Sequence, residues 1–506
     1  LSAVLERLLA LAPTEPVRLR PAEVRRALVY SEGSGELDAR KLDVFIRTEI
    51  EQQVAAGADP ARFAVPDAEL DQIVQDTLQK VREQYPDLEA ATVLEYNQIR
   101  PDSLRARALQ TQLFDLVYLP DDPDAWPAST TEAIRGSMPD GKGDEFIEGL
   151  RKAYVERKRL EAEQGQPLDD AGQSMFKLMM RQMVRQALEA SAVVRTASDG
   201  LPDGVAMTVD GVEIPTDEVY ATLSGSISDT QRANAERWVA KLALLEQALG
   251  AAGLWLDDEG FAEAYEAEEG PLRGTPFTLE VVVRTFKRFP SMETYKGYFR
   301  GREAFHRAIA PSLTDAELEL HLDRANRLMG LGRVDAEVIL CTAFDFETNR
   351  WIDGGWERAA ARATEVVTKL AASGGESWDA LLDEYSEFWD PPSPTTPNPN
   401  QPQPQRKNKG RLGAKNRNEL VSTLGESDYT LFLDGSSVAD AIFFDLEVGA
   451  VGGPWRGPHG YYIARVVERT PPARAKTLAD PSFREMVVED LLNVEFAAFA
   501  RELLRR

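Results

Sequence analysis

Cysteine is nearly absent from this 506-residue chain, and histidine is almost as scarce. The single cysteine, Cys341, has no second cysteine to pair with, so no internal disulfide staples the fold and cysteine usage leaves the redox compartment open. Three histidines, His306, His321 and His459, show no metal-ligand spacing. No phosphate-cradling glycine loop, nucleophile elbow or HExxH motif occurs, which excludes the common signatures of nucleotide enzymes, hydrolases and zinc proteases. Neither a metal nor a cofactor is expected. No run approaches the roughly 20 apolar residues that a membrane span requires. Positive charge is also short: Lys+Arg 58 against Asp+Glu 84 leaves −26, which argues against nucleic acid and anionic membrane surfaces.

What is present supports a large folded protein. Its length suggests three or four domains, and 43% hydrophobic residues suffice for sizeable cores. No secretory leader is visible and the chain opens on Leu1; a processed product and a piece of a longer protein both begin this way.

The first block, residues 1–135, reads as helices. Leu42, Phe45, Ile46, Ile50 and Val54 recur at helical spacing before Gly57, and Leu70, Ile73, Val74 and Leu78 follow Pro66-Asp67. Residues 136–200 form a helical connection in which Met175, Leu178, Met179, Met183 and Val184 read as one core-facing stripe. Residues 201–330 open with VDGVEIPTDEV, a strand and turn leading into a helix that Thr216 is placed to cap. A long helix then turns Trp238, Leu242, Leu245 and Leu249 inward. Glu51 to Gly57 and Glu246 to Gly253 echo one another, which suggests that two helical modules arose by duplication. Thr314 and Glu317 make a capping box for the helix that leads to a boundary near residues 330–332.

Residues 331–473 change character. VDAEVILC and GYYIARVVER are rich in β-branched and aromatic residues and read as strands, with a helix from Ala359 to Leu370 and another around Trp378 to Tyr385 after a Gly374-Gly375 break. A proline- and asparagine-rich insertion, residues 390–409, holds too little apolar area to repay its ordering, and it runs into a basic RKNKGR cluster. His459, before Gly460, is expected at an exposed turn without a catalytic role. The last segment, 474–506, is a helix capped by Asp480 with Pro481 at its first position. It is too apolar to stand alone, so it should return to a helical module, against Leu5, Leu8 or Leu9, or against the Phe45 helix. The expected fold class is therefore α+β and multidomain, mostly helical modules plus one small α+β domain with an antiparallel sheet.

VDAEVILC, the helix ending in DEYS, GRLG, FFDLEVG and GPHGYYIARVVER resemble, in order, the blocks of parvulin-type (PpiC-like) peptidyl-prolyl isomerases. The helical modules and the final helix resemble those of SurA-like periplasmic chaperones. The resemblance implies a periplasmic or otherwise extracytoplasmic place. It also implies a peptide-binding surface built from Cys341, Leu412, Phe444 and Tyr462, with Phe444 at the family's proline-contacting phenylalanine. The family's two central histidines fall on Val338 and Tyr462 in this sequence, so the implied catalytic pair is missing. The expectation is a chaperone that binds unfolded polypeptide through a helical cradle and a degenerate isomerase domain. Two alternatives stand beside it. One is an active isomerase, because twisting an imide bond needs neither nucleophile nor metal. The other is a fixed subunit of a cell-envelope assembly.

Overall fold

The computed structural model describes residues 8–10, 18–86, 89–90, 93–94, 103–138, 141–164, 171–202, 204–275, 277–329, 332–346, 350–373, 377–390, 406–407, 409–434, 436–472 and 475–503. The chain divides into two compact units, one made of residues 1–34 and 216–506 and the other of Gly35–Pro215. The expected borders at 135, 200, 330 and 473 do not coincide with this division. Within the larger unit, α1 (Pro21–Glu32) joins residues more than 200 positions away, because Val24 and Leu28 share a core with Ala235.

The smaller unit is helical with one small sheet. Its helices are α2 (Ser34–Ala55), α3 (Asp67–Gln84), α4 (Leu104–Tyr118), α5 (Ala128–Ser137), α6 (Gly143–Gln164) and α7 (Ala171–Ser191). Two buried polar contacts here link distant helices, as interior polar groups seek partners. The Tyr118 hydroxyl donates to the Phe45 carbonyl at 2.9 Å, and Arg181 grips Asp115 through two bonds of 2.6 Å. The methionine stripe does not form one buried face. Met180 and Val184 are interior, while Leu178 and Met179 are exposed, because residues two apart on a helix cannot share a face with both neighbours. The side chain of Met175 lies outside the described residues. Strands β1 (Val194–Arg195), β2 (Val205–Val209) and β3 (Val212–Pro215) close the unit, and Asp210 and Gly211 turn β2 into β3 with φ of 50° and 83°.

The larger unit resumes with α8 (Thr216–Leu223), α9 (Asp229–Ala251), α10 (Asp258–Glu269), α11 (Met292–Ile309) and α12 (Asp315–Met329). Thr216 is not a cap: it is the first helical residue, and its hydroxyl is buried without a hydrogen-bond partner. The capping box of Thr314 and Glu317 forms as the spacing predicts, with bonds of 2.9 and 3.3 Å. The echoing stretches 51–57 and 246–253 lie in different units, and each closes a helix on a left-handed glycine, Gly57 and Gly253.

The two strands expected at the ends of the sheet segment pair directly. Strand β4 (Arg333–Thr342) lies between β5 (Arg411–Lys415) and β7 (Gly460–Thr470), and β6 (Val451–Gly457) flanks β7, giving the antiparallel order β6-β7-β4-β5. Successive strand residues alternate between faces. Ile339, Cys341 and Ile463 pack under α13 (Gly355–Ala372) and α14 (Trp378–Tyr385), whereas Val338, Leu340, Tyr462 and Ala464 pack on the opposite face with Leu420, Leu424 and Phe443. The Gly374-Gly375 break lies outside the described residues, as do residues 391–405 of the insertion and Leu5. Two-residue strands at Trp389–Asp390 and Arg406–Lys407 bracket that insertion.

This segment is not packed as a separate body. After α15 (Arg417–Leu424), α16 (Asp428–Asp434) turns Tyr429, Phe432 and Leu433 into the core of the helical module. Phe432 meets Trp238 at 5.0 Å, Tyr298 at 5.3 Å and Phe496 at 6.0 Å between ring centroids. Phe496, with Phe499 and Leu503, comes from the final helix α17 (Pro481–Leu503), which is capped by Asp480 and shares this core with α9, α11, Leu8 and Leu9. Among the described residues, no helix is long and apolar enough to cross a membrane.

Candidate functional site

The sheet face that carries Val338 and Tyr462 is the place to look for chemistry, because it gathers most of the expected contact residues. Strand parity sets this: Val338 and Leu340 on β4 and Tyr462 and Ala464 on β7 all point the same way. The register places Val338 opposite Ala464 and Tyr462 opposite Leu340, so the two positions on which the resemblance puts the family's histidines sit diagonally on one face. Both side chains are fully buried. The Tyr462 hydroxyl donates to the Leu424 carbonyl at 3.3 Å, which answers the polar requirement of a buried phenol. Its ring lies against Gly457, where an added Cβ would come within 2.7 Å of the ring. The phenol thus fills space that a side chain on β6 would otherwise claim.

Leu412 on β5 joins the same cluster and is buried. Phe444 packs at its edge, half-buried, with its ring 4.9 Å from that of Phe443 in an edge-on contact. Cys341 does not join them. It is three residues from Val338 on the same strand, so it faces the other way, beneath α13 with Ala359, Ala363 and Val366. Burial pushes its thiol up to about 11, which leaves it protonated and unreactive at neutral pH. Of the four expected contact residues, the structure therefore brings together Leu412, Phe444 and Tyr462, and separates Cys341.

His459 is not exposed. Its ring is wedged between Phe344 and Phe346, at 5.3 and 5.0 Å between centroids, and burial with the charge of Arg288 pushes it down to about 4. It is a neutral packing element at physiological pH, and Phe346, one of the two rings it touches, packs against the Val338–Tyr462 cluster. His306 is likewise pushed down to about 4 by burial, and then by Arg302. Among the described residues no group of three or more His, Cys, Asp or Glu side chains is placed to hold a metal ion. Part of the basic cluster is accounted for locally: Lys409 donates to the Asp383 carbonyl at 2.8 Å and Arg411 pairs with the Asp383 carboxylate at 2.9 Å.

Two charged groups border this face that sequence reasoning missed. Glu426 is buried and accepts from the Ser437 hydroxyl at 2.7 Å and the Val438 amide at 2.5 Å. Burial outweighs those bonds and lifts its carboxyl to about 7. The second is a chain of ion pairs running His321–Asp490–Arg324–Asp440–Arg417, with separations of 2.6, 3.3, 2.8 and 2.8 Å. Its members lie more than 100 residues apart along three of these four links, so no local pattern announces it. Elsewhere in this unit, Phe277 and Phe286 form a ring pair at 6.1 Å that is largely open to solvent.

No protein-family model matches the chain, and no curated protein matches it at the significance required. Solved structures that are similar in part include three PrsA proteins. The peptidylprolyl isomerase PrsA from Bacillus cereus is 16% identical, with 59% of this chain and 90% of that chain covered and a TM-score of 0.20. PrsA from Bacillus subtilis is 17% identical over 59% and 90% of the two chains, with a TM-score of 0.18. The peptidylprolyl isomerase PrsA from Bacillus anthracis is 13% identical over 53% and 94%, with a TM-score of 0.20. Likeness at this level carries no conclusion about activity.

Proposed function

We propose that this protein is an extracytoplasmic chaperone that holds extended or unfolded polypeptide and does not turn over prolyl bonds. The observation that carries the reading is the filled centre of the sheet face: Val338 and Tyr462 are interior, and Tyr462 is tied to the Leu424 carbonyl. A valine can neither donate nor accept a hydrogen bond, and a phenol already engaged within the core has no reason to engage an imide. Apolar grip is what remains available. Its support elsewhere is the set of large apolar side chains left in solvent, chiefly Phe277 and Phe286, exposed at 47% and 63%, with Val281 on the short helix Leu279–Val281 between them. Burial of a client's side chains at about 25 cal/mol per Å² would work against the cost of ordering that client, giving weak and broad binding. An extracytoplasmic setting is what the resemblance of the sequence blocks implies.

A second reading is favoured by a separate observation. The insertion of Tyr429, Phe432 and Leu433 into the helical core fixes the sheet segment to the rest of the unit. A fixed segment suits a structural subunit of an envelope assembly as well as a chaperone. The experiment that separates the two is suppression of aggregation of an unrelated denatured protein by the purified chain. Suppression at stoichiometric ratios supports the chaperone. No suppression, together with recovery of the chain in constant ratio with one partner after mild extraction, supports the subunit.

A further inference from the structure

Between α10 and α11 the chain holds two phenylalanines out in solvent on a platform that is itself fixed. Phe277 and Phe286 meet at 6.1 Å between ring centroids and 75° between planes, and Val281, also exposed, lies on the short helix between them. The Phe277 amide donates to the Thr275 hydroxyl at 3.2 Å, and Thr278 caps the short helix by accepting from the Val281 amide at 3.3 Å. Phe286 ends a π-helical turn, Val282–Phe286, a widened geometry that recurs at functional sites. Beneath it, Leu279, Val283 and Phe289 are buried in the helical core. Lys287, next to Phe286, donates to the Glu268 carboxylate at 2.6 Å and to the Tyr295 hydroxyl at 3.0 Å, and that hydroxyl donates to Glu268 at 2.7 Å. The backbone that carries the two rings is thus anchored on both sides, and their exposure is built into the fold.

The surroundings of the rings are acidic. Residues 257–296 carry nine carboxylates against five cations. Three of those cations are engaged, Arg273 by Glu266 at 3.2 Å, Arg284 by Glu280 at 3.5 Å and Lys287 by Glu268, while Arg288 donates to the Ser422 hydroxyl at 3.3 Å. Burial, and after it the charges of Glu269, Glu280, Glu268 and Glu293, push the Tyr265 phenol up to about 12. Aromatic faces attract cations as well as apolar surface, and carboxylates close by add to that attraction. A second copy of this chain, at −26, and an anionic lipid surface both bear the same sign of charge as this region. We propose that the Phe277–Phe286 pair and its glutamates form a docking surface for a basic segment of polypeptide, whose Arg or Lys side chains lie on the rings while aliphatic neighbours cover Val281. The proposal rests on the polypeptide-binding reading and deepens it by naming the class of sequence held, apolar residues interleaved with positive charge.

The test uses the full chain and two fluorescein-labelled peptides read by anisotropy, Gly-Arg-Leu-Lys-Leu-Arg-Gly and its acidic counterpart Gly-Glu-Leu-Glu-Leu-Glu-Gly. The basic peptide is expected to bind about ten-fold tighter at low salt, with a margin that shrinks as salt rises. Phe277→Ser combined with Phe286→Ser, both at exposed positions, is expected to weaken the basic peptide about ten-fold, the equivalent of two exposed cation–π contacts. Glu280→Lys leaves the rings in place and is expected to narrow the preference for the basic peptide. Equal affinity for the two peptides, or a serine variant that binds as the parent does, overturns the docking surface. So does a parent that sediments as a dimer and becomes monomeric with the serines, since the rings then serve a second copy. Reduced, permanently unfolded ribonuclease is titrated in parallel. If parent and serine variant bind it alike, the surface is wrong and the polypeptide-binding reading stands. If no form binds any probe, that reading falls with it.

Discussion

Truncating Phe432 to alanine should weaken the sheet segment and the helical module together. Phe432 is 4% exposed and its ring meets Trp238, Tyr298 and Phe496 at 5.0, 5.3 and 6.0 Å. Removing a buried phenylalanine ring typically costs about 3–5 kcal/mol, the sum of lost transfer energy and the cavity left behind. Edge-on and stacked partners place this site toward the upper end, since each ring pair adds about 0.5–1.5 kcal/mol beyond area burial. The Phe432 carbonyl, which accepts from the buried ammonium of Lys241, is backbone and remains in the variant. The loss is therefore one of packing and of the cation–π contact with Lys241, whose Nζ lies 5.1 Å from the ring centroid. Urea unfolding followed by tryptophan fluorescence gives the total, because Trp238 lies in the helical core and Trp378 under the sheet. Hydrogen exchange then locates it: amides of β4 and β7 should lose protection in step with those of α9 and α11. A loss below about 1 kcal/mol, or one confined to the helices with β4 and β7 unchanged, would refute the shared core.

Three further outcomes are expected. Gly457→Ala drives a methyl toward the Tyr462 ring, which lies 2.7 Å from the ideal Cβ position, and overpacking of this kind costs about 1–3 kcal/mol by urea titration; an unchanged midpoint would contradict the filled centre. Tyr462→Phe leaves the Leu424 carbonyl without this donor and should cost about 0.5–1.5 kcal/mol with the sheet intact. Glu426 titrates near 7 in the fold against an ordinary 4.5, so its protonated form is the one that the fold favours. Its contribution is fully present below pH 4.5 and is lost as pH rises through 7, a change of about 3 kcal/mol at roughly 1.4 kcal/mol per unit. The parent should lose stability relative to Glu426→Gln across that window, and parallel stability curves would contradict the assignment.

The elements that were legible in the sequence are those whose signals are local. β4 and β7 announce themselves through VILC and YYIARVV, and the helix caps at Thr314 and Asp480 through spacing of three residues or fewer. The face of Cys341 was legible too, because an odd step from Val338 places it on the opposite side of a strand; grouping it with Tyr462 ignored that parity. His459 was misplaced because a histidine before glycine reads as a turn, and nothing nearby shows that Phe344 and Phe346 will close over it. The apolar face of α16 was visible in DYTLFLD, but not that its target would be Trp238, almost 200 residues earlier. The Arg324 cluster was hidden for the same reason: a charged residue on a helix reads as solvated until its partners, here Asp440 and Asp490, arrive from distant segments.

The central claim, that this protein holds polypeptide without rotating its prolyl bonds, is tested most directly by following cis–trans exchange of a proline peptide with and without the full chain. The account predicts the uncatalysed rate at every protein concentration, in the parent and in Tyr462→Ala alike. Acceleration that scales with the parent protein and disappears in Tyr462→Ala would contradict it.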